Sequence, residues 1–157
     1  MWNLVQETDL LRKIPMFAKL NASKLKLLAF TSELAMYDQG EIIFRAGDLA
    51  DCAYVIMEGA VDVVTETDAG ELVAVTLQQN QLFGEIALLN NAPRSATLKA
   101  HGSVTVMKIT EEMFLKLVCE NSDIALDVMR QLSGKLAKSH HQVEVLQRQL
   151  KPSNPAS

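Results

Sequence analysis

Three kinds of hydrophobic spacing follow one another along the chain, and each predicts a different kind of element. From Asp9 to Leu34 apolar residues recur every three or four positions, interrupted by Pro15, which predicts two or three short helices. From about Ala35 to Ile109 the spacing becomes that of short β-strands separated by turns. A helical period returns at Thr110, a favourable N-cap residue, and continues to Leu150.

The β section indicates the fold class. Its apolar runs are short, rich in β-branched residues and separated by turn residues every 8 to 12 positions or so, which is typical of an antiparallel barrel or roll. We expect an α+β fold, in which an antiparallel, jelly-roll-like β-roll is flanked by short N-terminal helices and a long C-terminal helix. The expected turns lie at Gly40, Gly47-Asp48, Glu58-Gly59, Ala69-Gly70, Gly84 and Gly102.

One domain accounts for the whole chain of 157 residues. Its expected parts are helices at about 9–34, the β-roll at about 35–109 and C-terminal helices at about 110–150. The tail "KPSNPAS" at 151–157 is polar and proline-containing, and is expected to be disordered.

The last predicted helix carries a heptad seam that is apolar except at Ser139. A helix over residues 123–150 would be about 40 Å long at 1.5 Å per residue, longer than a small β-roll covers. We therefore favour a parallel homodimer through this helix over a helix that packs only on its own core. The seam residues are Ala125, Met129, Leu132, Leu136, Ser139, Val143, Leu146 and Leu150.

Composition excludes several classes of protein. Apolar runs are far shorter than the ~18 residues that span a bilayer, and the N-terminus lacks the features of a secretory signal, so we expect a cytoplasmic protein without membrane contact. The net charge of −4 argues against a nucleic-acid surface.

Cys52 and Cys119 lack metal-ligand spacing and are expected to be buried, reduced thiols. The adjacent His140 and His141 point to different helix faces, and no metal site is expected.

The stretch "FGEIALLNNAPRSATLKA", residues 83–100, combines an acid and a base in an apolar setting. Gly84 lets the backbone turn sharply and approach a ligand, while Arg94 and Ser95 offer donors for a phosphate. Glu85 would repel a bare anion, but its carboxylate can accept hydrogen bonds from the hydroxyls of a sugar. The residue types therefore indicate a nucleotide, with an ordinary ion pair between Glu85 and Arg94 as the alternative.

The segment "FGEIALLNNAPRSAT" resembles the phosphate-binding cassette of cyclic nucleotide-binding domains. That family includes the catabolite activator protein, the regulatory subunits of protein kinase A and nucleotide-gated channels. The resemblance extends upstream through "IPMFAKL" and "YDQGEIIFRAGDLADCAYVIMEGAVDVV" and downstream into the long helix, covering about Asp9 to Leu150.

The resemblance implies a role for each matching residue. Glu85 is expected to accept the ribose 2′-hydroxyl, Arg94 to pair with the cyclic phosphate, and the Ser95 hydroxyl to assist. Backbone N–H groups would complete the phosphate cradle around Gly84, Glu85, Ile86, Ala87, Ser95 and Ala96. Apolar side chains would face the base and sugar, namely Val75, Leu77, Leu82 and Phe83.

The purine base is expected to be contacted from the long helix. In the bacterial activator branch small polar residues of that helix, one from each subunit, meet the base, and the resemblance places Ser139 and His140 at those positions. Ser139 is also the single polar residue of the seam, where a hydroxyl needs a partner. His140 is bulkier than the usual residue and titrates near neutral pH, which bears on base preference.

These features point to a sensor without enzymatic activity. No arrangement typical of a catalytic site appears in the sequence. We expect a receptor for cAMP, with cGMP as the other candidate ligand, which needs no cofactor and passes its state to an unidentified protein effector. Relatives in the activator branch continue into a helix-turn-helix domain, and we expect this chain to be a stand-alone, bacterial-like receptor, with a fragment that lacks its output domain as the alternative. The alternatives are a module that binds another effector, such as cyclic di-GMP, and a structural dimeric adaptor with a vestigial pocket.

Overall fold

The computed structural model describes residues 3–150, except for the side chains of residues 131, 135–140, 142, 143 and 150. The helices and strands follow one another in this order: α1 (Leu4–Arg12), α2 (Ala22–Thr31), β1 (Glu33–Tyr37), β2 (Ile42–Phe44), β3 (Cys52–Thr67), β4 (Gly70–Leu77), β5 (Leu82–Phe83), α3 (Glu85–Leu89), β6 (Thr97–Thr110), α4 (Glu111–Glu120) and α5 (Ser122–Leu150).

The first helix begins earlier than the Asp9 expected from the apolar spacing. Its N-cap is Asn3, whose side chain accepts a hydrogen bond from the Gln6 backbone N–H at 2.9 Å. The Gln6 side chain in turn accepts from the Asn3 N–H at 3.1 Å, so both ends of a capping box are present. This reciprocal pair stabilises a helix start that apolar periodicity does not reveal.

The strands form one antiparallel sheet built on two long strands. Its order is β1-β6-β3-β4, with the short strands β2 and β5 pairing with β6 and β3. Strands β3 and β6 pair with each other from Cys52–Thr110 to Val64–Thr97 and thus run through the whole sheet. The predicted α+β fold with an antiparallel β-roll is confirmed.

Two of the expected turns are wrong. Glu58-Gly59 and Gly102 do not separate strands, because β3 and β6 continue through them. The pairing instead shifts register on both sides of Glu58, and Gly59 and Gly102 have φ angles of +89° and +77°. Glycines with positive φ accommodate such bulges, which bend and twist long strands, so a turn-forming residue here curves the sheet rather than ending a strand.

Successive residues of β3 point alternately into two hydrophobic cores. Ala53, Val55 and Met57 pack with the helices α1, α2 and α4 and with Ile124 and Val128 at the start of α5. Cys52, Tyr54 and Ile56 pack inside the roll, against side chains of β2, β5 and β6. Because residues 52–57 of β3 are buried on both faces, this part of its sequence is apolar without alternation.

The expectation that both cysteines are buried, reduced thiols is only half right. Both thiols are free, and Cys52 is buried, but Cys119 is exposed. Cys119 lies near the end of the ten-residue helix α4, whose buried residues are Phe114 and Leu117. In the described part of the chain, no helix is both long enough and apolar enough to cross a membrane.

Replacing Gly59 by alanine is expected to lower the free energy of unfolding by about 2 kcal/mol or more. A Cβ at this position would clash with the backbone carbonyl oxygen of Ser103 as well as strain the positive φ. Gly102→Ala is the matched control, since it imposes positive φ with no atom within 4 Å of the new Cβ, and should cost only about 1 kcal/mol. Urea unfolding measures both values; equal losses would show that the close approach to Ser103 is unimportant.

Candidate functional site: a cavity beside the β5–α3 turn

A cavity of about 570 Å³ opens between the roll and the segment that joins α1 to α2. Most of its wall is apolar, and its charged lining residues are Glu85 and Arg94. It is lined by Ile14, Pro15, Met16, Phe44, Val63, Val75, Leu77, Asn80, Gln81, Leu82, Phe83, Gly84, Glu85, Ile86, Ala87, Arg94, Ser95, Ala96 and Leu98.

Gly84 forms the turn at the end of β5. It is the N-cap of α3 and has a left-handed backbone with φ of +77°. A Cβ at Gly84 would lie 2.7 Å from Arg94 Nη1 and 3.3 Å from Tyr54 Cδ2. Glycine is therefore needed here twice, for the backbone conformation and for the space that the guanidinium of Arg94 occupies.

Arg94 is held in place from several sides. Its side chain is only 4% exposed, and its Nη1 and Nη2 atoms donate hydrogen bonds of 2.6 Å to the backbone carbonyls of Gly84 and Cys52. The guanidinium carbon lies 4.3 Å from the centre of the Phe44 ring, within cation–π distance. These two hydrogen bonds engage two of the five N–H donors of a guanidinium and orient its plane.

The backbone of Arg94 is fixed as well. Its N–H donates to the Asp48 carbonyl, and its carbonyl accepts from the Gly47 N–H, both at 2.8 Å. The loop between β2 and β3 is thus tied to the residue whose side chain reaches Cys52 and Gly84. A buried cation of this kind is stable only where its polar partners are in place.

The guanidinium lies over two aromatic rings, Phe44 and Tyr54, which pack with a third, Phe83. Tyr54 and Phe83 stack at 4.9 Å with an interplanar angle of 5°, and Phe44 tilts against both rings. Burial, and secondarily a hydrogen bond with the Cys52 thiol, raise the pKa of Tyr54 well above its usual value near 10. Burial likewise raises the pKa of Cys52, so the thiol beside Arg94 stays protonated and unreactive at neutral pH.

Glu85 lies at the start of α3, directly after the Gly84 turn. It is only 4% exposed, as Arg94 is, and both line the same cavity. A buried acid and a buried base in one small, mainly apolar cavity form a site for a ligand with two kinds of polar group.

The sequence has recognisable relatives. The family model described as "Cyclic nucleotide-binding domain" matches residues 35–121. The chain belongs to the cyclic nucleotide-binding domain family. The resemblance noted in the sequence is therefore confirmed, and the matched residues include the Gly84 turn, Glu85 and Arg94.

One similar protein is a cAMP-dependent protein kinase regulatory subunit of Mycosarcoma maydis, 34% identical over 113 residues, which are 69% of this chain and 22% of that relative. The regulatory domain of Toxoplasma gondii PKA, co-crystallised with cAMP, is similar in structure, with a TM-score of 0.72, 25% identity and coverage of 86% of this chain and 50% of that chain. The Catabolite Activator Protein of Thermus thermophilus has a TM-score of 0.74 and 26% identity, covering 84% and 62% of the two chains. This chain spans less than a quarter of the fungal subunit's length.

The structure brings together every site residue that we expected on the β section and α3. All of them line the cavity of this cyclic nucleotide-binding domain, with Val75 half-exposed at its rim. Ser139 and His140 lie on α5, but their side chains are outside the described part of the structure. The residues that line the cavity are Val75, Leu82, Phe83, Gly84, Glu85, Ile86, Ala87, Arg94, Ser95 and Ala96.

Sequence reasoning missed several residues of the cavity wall. Phe44 and Asn80 come from distant turns and strands, and residues 14–16 come from the helical segment. The sequence predicted that Pro15 interrupts the helical segment, but it did not predict that Pro15 lies against the cavity. Among the described residues, no group of three or more His, Cys, Asp or Glu side chains could hold a metal ion.

The raised pKa of Tyr54 predicts a loss of stability at alkaline pH. The unfolded chain releases the phenolic proton near pH 10 while the folded chain keeps it, so the stabilisation present below pH 10 is lost as the pH rises further. In a Tyr37→Phe variant, which leaves Tyr54 as the single tyrosine, phenolate absorbance should appear only together with unfolding. Circular dichroism recorded in the same titration checks this.

The control for this titration is Tyr54→Phe, in which this contribution to the alkaline decline of stability should be absent. Phenolate formation near pH 10 with native circular dichroism would contradict the buried position of Tyr54.

Proposed function

We propose that the chain is a cyclic nucleotide sensor that binds cAMP in the cavity beside the β5–α3 turn. The observation that carries the proposal is the joint burial of Glu85 and Arg94, each 4% exposed, in one mainly apolar cavity. A cavity of about 570 Å³ lies within the range of small-molecule sites.

The two charged residues would bind different parts of the ligand. Arg94, oriented by the Gly84 and Cys52 carbonyls, would pair with the cyclic phosphate, and Ser95 would add a hydroxyl donor. Glu85 would accept the ribose 2′-hydroxyl, the interaction that lets an acid share a cavity with an anion. Backbone N–H groups of residues 84–87, 95 and 96 would complete the phosphate cradle.

The remainder of the cavity suits the base and the sugar carbon atoms. Leu82 and Phe83 on β5 and Val75 on β4 supply apolar surface along its length. The relative from Toxoplasma gondii was crystallised with cAMP. Serine directly after the arginine favours cAMP over cGMP, because threonine at that position is associated with cGMP selectivity in the family.

The output would be regulatory rather than catalytic. We propose that nucleotide binding favours one arrangement of α5 over another and that a separate protein reads that arrangement. Two copies of the chain would pair through residues 123–150, and Ser139 and His140 would contact the base across that pairing. The proposal includes no enzymatic step, no cofactor beyond the ligand and no nucleic acid.

Calorimetric titration with cAMP, cGMP and cyclic di-GMP tests the ligand. The wild-type chain should bind cAMP, and Arg94→Ala should lose at least about 2 kcal/mol of affinity, roughly thirtyfold, because the phosphate loses its cationic partner. Arg94→Lys keeps a charge without the planar donor and should lie between them.

Lys99→Ala is the matched control, since it removes a cation that pairs with Glu71 away from the cavity. Circular dichroism verifies that each variant is folded. Tight binding of cyclic di-GMP alone would assign a different effector. No binding of any of the three would leave the adaptor alternative, and equal cAMP affinity of Arg94→Ala and wild type would contradict the role of Arg94.

The proposed dimer has its own test. Met129 and Leu146 belong to the heptad seam and are 63% and 56% exposed in the single chain. Leu146→Glu should shift the sedimenting species from twice the 17.3 kDa chain mass toward the monomer, because a charge would be buried between helices. Gln147→Glu adds the same charge at the next position, off the seam, and should leave the dimer intact. A monomeric wild type would contradict the proposal.

A further inference from the structure

The turn at residues 45–48, directly after β2, is closed by two hydrogen bonds between its first and last residues. The Asp48 N–H donates to the Arg45 carbonyl at 3.1 Å, and the Asp48 carboxylate accepts from the Arg45 N–H at 2.9 Å. Gly47 supplies the positive φ, +92°, that the third residue of a type II turn requires. The carboxylate therefore fixes the shape of this turn in addition to the backbone bond.

This turn holds the main chain of Arg94. Arg94 lies between α3 and β6 and belongs to no strand. The Gly47 N–H donates to the Arg94 carbonyl, and the Arg94 N–H donates to the Asp48 carbonyl, both at 2.8 Å. The Ala46 N–H donates to Thr97 Oγ1 at 3.0 Å, at the start of β6. The turn thus supplies the backbone partners that a neighbouring strand supplies elsewhere in the sheet.

The other end of Arg94 is held separately from its main chain. The Nη1 and Nη2 atoms donate to the Gly84 and Cys52 carbonyls, each at 2.6 Å. Because hydrogen bonds weaken steeply when they are misaligned, a displacement of the Arg94 backbone would break one of these bonds or rotate the plane of the guanidinium. The direction of its remaining N–H donors therefore depends on the turn as well as on the two carbonyls.

The geometry of the turn does not by itself require an acid at residue 48. The last residue of such a turn contributes a backbone N–H, which every residue except proline has. Asp48 is exposed, does not line the cavity and forms no ion pair with any residue in the described part of the chain. Its negative charge would weaken the binding of an anion nearby. What the side chain contributes is an acceptor for the Arg45 N–H.

We propose that Asp48 is a positioning residue for Arg94. By fixing the turn at residues 45–48, its carboxylate sets the direction in which the guanidinium meets the phosphate of the ligand. The inference rests on the proposed cyclic nucleotide function. Asp48 itself makes no contact with the ligand, and its effect depends on its acceptor oxygen and not on its charge.

The two diastereomers of adenosine 3′,5′-cyclic phosphorothioate test the orientation of the guanidinium. Each has sulfur in place of a different exocyclic phosphate oxygen, so an oriented Arg94 binds one diastereomer more tightly than the other. Asp48→Ala should weaken cAMP binding roughly two- to twelvefold, the effect of one hydrogen bond, and should bring the two diastereomer affinities closer together by at least about twofold. Calorimetric titration measures all three affinities.

Two further variants separate position from charge. Asp48→Asn keeps an acceptor for the Arg45 N–H and removes the charge, so it should bind cAMP at least as tightly as the wild type and keep its discrimination between the diastereomers. Thr97→Val removes the acceptor of the Ala46 N–H, the other side-chain link between this turn and the segment of Arg94. It should reduce the discrimination as Asp48→Ala does.

Asp68→Ala is the matched control, because Asp68 is an exposed acid in the turn between β3 and β4 and does not line the cavity. It should change neither the cAMP affinity nor the discrimination between the diastereomers. Circular dichroism verifies that each variant is folded.

Each other outcome has a distinct meaning. Wild-type cAMP affinity in Asp48→Ala, or a loss of affinity with unchanged discrimination, overturns the positioning role and leaves the proposed function standing. A loss in Asp48→Asn as large as that in Asp48→Ala overturns it as well, since the acceptor is then not what matters. Failure of the wild type to bind any cyclic nucleotide overturns the proposed function and this inference together.

Discussion

The buried guanidinium of Arg94 is the interaction on which the site depends. It joins the end of β5 to the start of β3 through the Gly84 and Cys52 carbonyls and rests on the Phe44 ring of β2. Removal of a cation from water is costly, and these partners offset the cost only when all three strands are in register. The guanidinium that we propose as the phosphate partner is therefore oriented by the fold before any ligand binds, which would reduce the ordering that binding requires.

The cavity also shares a wall with the helical core. Ile14 and Met16 line the cavity and belong to the same buried cluster as Ile124 and Val128 of α5. Since close-packed side chains transmit displacements rather than absorb them, a ligand that repositioned residues 14–16 would act on the base of the long helix. This shared packing is the physical connection between the proposed binding site and the proposed output. Lys24 of α2 adds a hydrogen bond of 2.7 Å to Asn121, the residue between α4 and α5.

Local residue patterns were sufficient for the class of fold and for the residues at the centre of the candidate cavity. The alternation of turn residues and β-branched runs predicted the antiparallel roll, and the Gly84-Glu85 and Arg94-Ser95 pairs predicted the residues that the structure brings to one cavity. The same local reading failed at Glu58-Gly59 and Gly102, where it placed strand ends. A glycine permits a bulge as readily as a turn, and only the pairing partner decides which of the two forms.

The sequence by itself determined the order of the helical and β regions and the chemical types in residues 83–100, because both depend on neighbours in the chain. Tertiary structure alone decided that Phe44 lies against Arg94, that the Cys52 carbonyl orients the guanidinium and that Asn80 lines the cavity. Each of these depends on β2 pairing with β6 or β5 with β3. Such pairings join residues that are far apart in the sequence, and no local preference of either residue specifies its partner.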